Sequence, residues 1–305
     1  MPYSILTDRT IQRRQHWIEE LAQISGKFGK DTARVERELK AEIQQEGAVA
    51  LYDHLHLCGT IPEEYGHDTS EEKLYSKYTD ALLSAAFRQI GLTSTVLAER
   101  ADAADVEAVG ANYSLVADAK AFRLSRTAKN QKDFKIEALH GWKRGKPHAM
   151  VVCPIYQLPA RTSQIYQQAI VRNVCIFSYS HLVTLVQFSE AVGTCKAQEL
   201  LLNILRCSEH LNPTKDSVEY WTSVNRTILQ SDAAILPMWQ QEKATTLESI
   251  AAAKEEALTA FAREREQIMR MSRDEAISNL IQGRNIDGRE RVVRSVSDNG
   301  ILAML

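Results

Sequence analysis

The stretch Leu115-Val116-Ala117-Asp118-Ala119-Lys120 ends a short apolar run on an acid and a lysine two residues apart. Alternate residues of a strand face the same side, so Asp118 and Lys120 project together from one face of a sheet. A second carboxylate brought to that face completes a set able to hold a divalent cation, while the lysine stabilises charge or poises an attacking water. Ala104-Asp105, thirteen residues upstream of Asp118, offers one. This is the residue set that metal-dependent DNA nucleases use. The same acid-x-lysine spacing recurs at Glu38/Lys40, Glu71/Lys73 and Asp133/Lys135, as expected in a chain that is 25% charged. Those three lie in polar, helix-like stretches where a solvated pair is the ordinary reading. Only Asp118 follows a strand-like apolar run with an acid upstream.

From Lys120 to Lys146 the chain reads KAFRLSRTAKNQKDFKIEALHGWKRGK, nine Lys or Arg against Asp133 and Glu137, although the whole chain carries a formal charge of -2. A basic segment beside a carboxylate pair suits a polyanion, because phosphate contacts supply affinity while a cation acts at one phosphodiester. Asn130, Gln131 and Lys132, interleaved in that run, are side chains of the kind that read adenine and guanine edges.

The segment LVADAKAFRLSRTAKNQKDFK (Leu115 to Lys135) resembles the core of the HindIII family of type II restriction endonucleases, members of the PD-(D/E)xK superfamily. The resemblance extends to SEEKLYSKYTDALLSAAFRQIGL (Ser70 to Leu92), Ala103 to Val106, TSQIYQQAI (Thr162 to Ile170) and NVCIFSYSHL (Asn173 to Leu182), and covers roughly residues 70 to 182; outside it stands the phrase SRDEAI (Ser272 to Ile277). It implies an α/β PD-(D/E)xK core with a mixed central sheet flanked by helices, a homodimer, Mg²⁺ dependence, and cleavage of a short palindrome in double-stranded DNA, AAGCTT. It further implies Asp105 and Asp118 as metal-binding acids, the main-chain carbonyl of Ala119 as a further ligand, and Lys120 as the catalytic lysine. Arg123, Arg126, Lys129, Asn130, Lys132 and Asp133 are the expected DNA contacts, and a DNA methyltransferase protecting the same site is the expected counterpart. One departure stands out: the family's proline before the first acid is Ala104 here, so Glu99, Asp102 and Glu107 remain rivals of Asp105.

With 305 residues, 44% of them hydrophobic, the chain can bury a substantial core. Its five cysteines are odd in number, widely spaced and without a CxxC, which disfavours a disulfide framework or zinc site and favours reduced thiols. The N-terminus is charged too early for a signal peptide and no apolar run approaches ~18 residues, so a soluble, cytoplasmic protein is expected.

Residues 10 to 57 carry Ile11, Trp17, Ile18 and Leu21, then Val35, Leu39, Ile43 and Val49, at helical spacing. Residues 70 to 182 form the α/β part: a helix over 70 to 90, an acidic turn, strands over 113 to 119, 148 to 153 and 173 to 178, and helices near 130 to 142 and 162 to 172. Such alternation favours a mixed or parallel sheet covered by helices. Residues 184 to 210 and Glu242 to Met271 read as helices, Ser272 to Glu275 as a capping box opening another, and Gly283 to Gly300 as irregular. We therefore expect one elaborated domain over 1 to 305, its core at 70 to 182 carrying helical extensions at 1 to 69 and 183 to 305. His54, His56 and Cys58 would share a face only on a strand, and the local pattern is helical; Cys207 and His210, a turn apart, have no second pair nearby. Ser180-His181 lacks a nucleophile elbow. Two other readings are compatible with the motif: a structure-specific repair or recombination nuclease, and a DNA-binding protein with an inactive core. A neighbouring gene for a DNA methyltransferase would argue against the first, and retention of both acids and the lysine weighs against the second.

Overall fold

The computed structural model describes residues 6–97, 103–126, 131–214 and 216–295. The chain divides into two compact units, Met1–Ala257 and Leu258–Leu305.

Four helices open the first unit: α1 (Asp8–Ala22), α2 (Phe28–Glu46), α3 (Ala48–Leu57) and α4 (Ser70–Gln89). Thr7 and Thr69 cap α1 and α4 by accepting from the backbone N–H of Thr10 and Glu72, each satisfying an otherwise orphaned donor. The apolar stripes of α1 and α2 are buried at Trp17, Ile18, Leu21, Val35 and Leu39. A network at their contact with α3 joins Arg13 to Glu42, Glu46 and Asp53. His54 and His56 lie on helical α3, where His54 meets the Tyr78 hydroxyl at 2.8 Å and His56 the carboxylate of Glu242 at 3.0 Å.

The sheet follows, in order β1 (Thr93–Val96), β2 (Val106–Val109), β3 (Ser114–Ala119), β4 (His148–Cys153), β5 (Val174–Ser178). The pairs β1–β2 and β2–β3 are antiparallel, whereas β3–β4 and β4–β5 are parallel, which makes the sheet mixed. Every residue of β4 and β5 is buried, as expected of parallel strands covered on both faces. Where the sequence suggests an acidic turn, the structure has β1 and β2. Each is four residues long with interrupted burial, and β1 is the edge strand.

Helices α5 (Gln131–Phe134) and α6 (Ile136–Trp142) lie between β3 and β4, and α7 (Gln164–Arg172) between β4 and β5. The single helix expected near 130 to 142 is broken at Lys135, whose φ of 47° is left-handed. After β5 come α8 (Tyr179–Val192), α9 (Thr194–Glu209), α10 (Ser217–Leu229) and α11 (Ile235–Arg270). Gly193, at φ 99°, divides the helical reading of 184 to 210 into α8 and α9. No helix among the described residues is long and apolar enough to cross a membrane.

The second unit contains α12 (Arg273–Gly283) and α13 (Ile286–Ser295). Ser272 and Glu275 form the expected capping box on α12. The expected irregular tail is instead helical over Ile286–Ser295. The left-handed break falls at Asn285 (φ 48°), and Gly288 sits inside α13, where a Cβ would collide with the Asn285 side chain.

Candidate active site

β3 lies at the switch in the sheet, antiparallel to β2 and parallel to β4, with Asp118 in register with Val151. The strand continues one bond further, because Lys120 N–H donates to the Val152 carbonyl at 2.7 Å, so Asp118 and Lys120 stand on one face as the spacing predicts. The Lys120 ammonium donates to Asp118 at 2.5 Å. The chain beyond is fixed by the Tyr179 hydroxyl, which donates to the Lys120 carbonyl at 3.0 Å, and by Phe122 N–H, which donates to Gly59 at 3.0 Å.

Asp105 immediately precedes β2, and the pairing of Val106 with Ala117 brings it beside Asp118. A third acid, Asp80 of α4, completes the group. One carboxylate oxygen from each of Asp80, Asp105 and Asp118 lies within 4.8 Å of the others. Asp80 and Asp118 are 2% and 1% exposed, so neither is an ordinary surface acid. The three border a cleft of about 420 Å³, together with Ala119, Lys120 and Lys135. An all-oxygen set of this kind is what a hard cation such as Mg²⁺ takes. Of the rivals to Asp105, Glu107 pairs with Lys146 at 2.9 Å and is not in the group; Glu99 and Asp102 lie outside the described residues.

Lysines offset these acids. Lys77, one turn before Asp80 on α4, is 3.0 Å from Asp105 and 3.5 Å from Asp80, and the Lys135 ammonium is 3.8 Å from Asp118. Burial pushes the Asp80 carboxyl well above the usual carboxylate range; Asp105 and Asp118 add to the rise while Lys77 and Lys120 oppose it. For Lys120, burial disfavours the charge, but Asp118 above all outweighs it, and the ammonium is held above the ordinary lysine value.

The fold and this cluster fit the architecture expected from the sequence, and the family comparison decides the matter. A model of the HindIII restriction endonucleases matches residues 15–297. The chain belongs to the HindIII restriction endonuclease family. The type II restriction enzyme HindIII of Haemophilus influenzae (strain ATCC 51907 / DSM 11121 / KW20 / Rd) is 47% identical over 131 residues, which is 42% of this chain and 44% of that enzyme. The match thus spans less than half the length of this relative.

The residues expected to contact DNA fall into different settings. Arg123 is held by the fold, donating to Glu72 at 2.6 Å and to the carbonyls of Tyr65 and Gly66 at 2.8 and 2.9 Å. Arg126 pairs with Asp133 at 2.5 Å and lies over the Phe122 ring. Lys129 and Asn130 lie outside the described residues, as does the side chain of Lys132, whose backbone belongs to α5. Elsewhere in the basic run, Lys143 is buried and donates to the Arg172 carbonyl at 2.9 Å. The surplus of charge in this run is therefore partly absorbed by the fold.

Asp80 is the acid that motif reading misses. Its signal was nevertheless present: it is the only charged residue between Lys77 and Arg88, in a segment otherwise suited to burial on all sides. Ser180-His181 gives no hydrolase site. The buried His181 ring bonds instead to Ser178 at 2.6 Å and Asn225 at 2.9 Å.

Proposed function

We propose that this protein is a type II restriction endonuclease that hydrolyses both strands of duplex DNA at AAGCTT, with Mg²⁺ as its metal. The observation that carries the reading is the convergence of Asp80, Asp105 and Asp118 beside Lys120, in a chain of this family. Asp105, Asp118 and the carbonyl of Ala119, joined by Asp80, would hold the metal. A bound Mg²⁺ supplies positive charge for a non-bridging phosphate oxygen and acidifies a water.

Lys120 acts as an ammonium. Its charge is held by Asp118, so it offsets the negative charge that builds on the phosphorus oxygens as water attacks, and it does not serve as a neutral base. Asp118, fixed in β3, in turn fixes the position of the Lys120 ammonium. Hydrolysis breaks the bond from phosphorus to the 3′ oxygen and leaves a 5′-phosphate and a 3′-hydroxyl.

Reading is assigned to the segment after β3. Asn130 and Lys132 have the groups to contact adenine and guanine edges, Lys129 and Arg126 to hold phosphates, and Asp133 to orient Arg126. Arg123 contributes by anchoring the segment to the turn at Tyr65 and Gly66. A palindrome calls for two copies of the reader, supplied by a homodimer with one active site per strand. The partner activity is a DNA methyltransferase acting on the same sequence, and the setting is the cytoplasm.

Digestion of a sequenced plasmid with Mg²⁺, followed by sequencing of the cut ends, tests the proposal. The expected result is ends at AAGCTT alone, each carrying a 5′-phosphate, and no cutting in EDTA. Ends at branched or nicked structures, without a common sequence, would replace it with the repair-nuclease reading.

A further inference from the structure

We infer that Lys77 is a competitor built into the metal site: its ammonium occupies the acidic cluster in the metal-free protein and must be displaced from it by an incoming divalent cation. The inference rests on the metal-dependent reading above and adds a residue that sets how tightly the metal is held.

Lys77 and Asp80 are both on α4, three residues apart and therefore on one face of the helix. From there Lys77 reaches across to the sheet and contacts Asp105 at 3.0 Å, while also standing 3.5 Å from Asp80. Two of the three acids that could take a metal are thus paired to one ammonium, and the third, Asp118, is paired to Lys120. Lys77 is enclosed, with only 13% of its side chain exposed, so its charge is poorly screened by water. A divalent cation bound to Asp80 and Asp105 would sit beside this ammonium, and the two positive charges would repel at short range. Binding of the metal therefore replaces the ion pairs of Lys77, and their loss weakens the observed affinity.

An ordinary structural salt bridge would behave differently. Removing it would leave metal affinity unchanged, or lower it by loosening the acids. Competition predicts the opposite sign. Lys73 provides an internal control, because it borders the same cleft but pairs with exposed Asp68 at 3.0 Å and touches none of the three acids.

The test is binding of Mn²⁺ to the full-length protein without DNA, followed by the loss of the free-ion electron paramagnetic resonance signal, for wild type, Lys77→Met, Lys77→Gln, Lys77→Arg and Lys73→Met. Competition predicts that Lys77→Met and Lys77→Gln bind Mn²⁺ about tenfold more tightly or better, and that Lys77→Arg and Lys73→Met stay within about threefold of wild type. Having two neutral variants covers the case in which one fails to fold. Unchanged or weaker binding by a folded neutral variant, with wild type binding normally, would overturn the role of Lys77 alone. Absence of Mn²⁺ binding by wild type and all variants would overturn both this role and the metal-dependent reading.

Discussion

Lys120 is 11% exposed at its side chain and stands against a carboxylate that is almost wholly buried. A charge placed so is tolerated because the partner is close, and the same pairing favours the ammonium form. On the proposed mechanism, replacing it with Met removes one electrostatic stabiliser of the transition state, a loss of about 3 kcal/mol or more, on the order of a hundredfold in rate. Lys120→Met should thus cut at least about a hundredfold more slowly under single-turnover conditions, while still binding an AAGCTT duplex in Ca²⁺. A rate within tenfold of wild type would remove Lys120 from the mechanism. Asp118 and Lys120 were legible in the sequence because strand geometry alone puts them on one face. Asp80 was marked in the sequence only as a lone charge in an otherwise uncharged helical stretch; its place in the site was not, because only tertiary packing brings a helical residue from that far upstream to the end of β3.

At the scale of elements, His181 ties three helices together. From α8 it stacks on Trp221 of α10 at 5.4 Å, meets Trp239 of α11 edge-on, and bonds to Asn225. Burial lowers its pKa from 6.5 to about 4, against the opposing bond to Asn225. The folded protein therefore keeps the ring neutral where the unfolded chain protonates it. The stabilising difference is complete above about pH 6.5 and is lost as pH falls from there to about 4, a change of roughly 3 kcal/mol. Denaturant unfolding should show wild type losing its advantage over His181→Gln across that window; a constant gap from pH 7 to pH 4 would contradict it. The strands that sequence reading finds, β3, β4 and β5, are those with unbroken apolar runs. β1 and β2 escape it because each has four residues and its partner is set by pairing, with the buried Ser94 bonded to Ser84 and to the Glu107 carbonyl. The break at Lys135 escapes it too, since nothing local marks that lysine for a left-handed backbone.

For the whole molecule, helices fix one wall of the cleft and the sheet the other, so the three acids report on whether the fold has assembled a single site. Their charges repel unless something positive lies among them, and lysines and a divalent cation are the two candidates. The family match extends over 15–297, well beyond the segment that carries the motif. The most direct test is the single-turnover rate of Mg²⁺-dependent cleavage of an AAGCTT duplex by wild type, Asp80→Asn, Asp105→Asn, Asp118→Asn and Glu107→Gln. The account predicts that each of the three Asp variants falls by about a hundredfold or more while Glu107→Gln stays within about threefold of wild type. Near-wild-type cutting by any one of the three, or a dead Glu107→Gln, would contradict it.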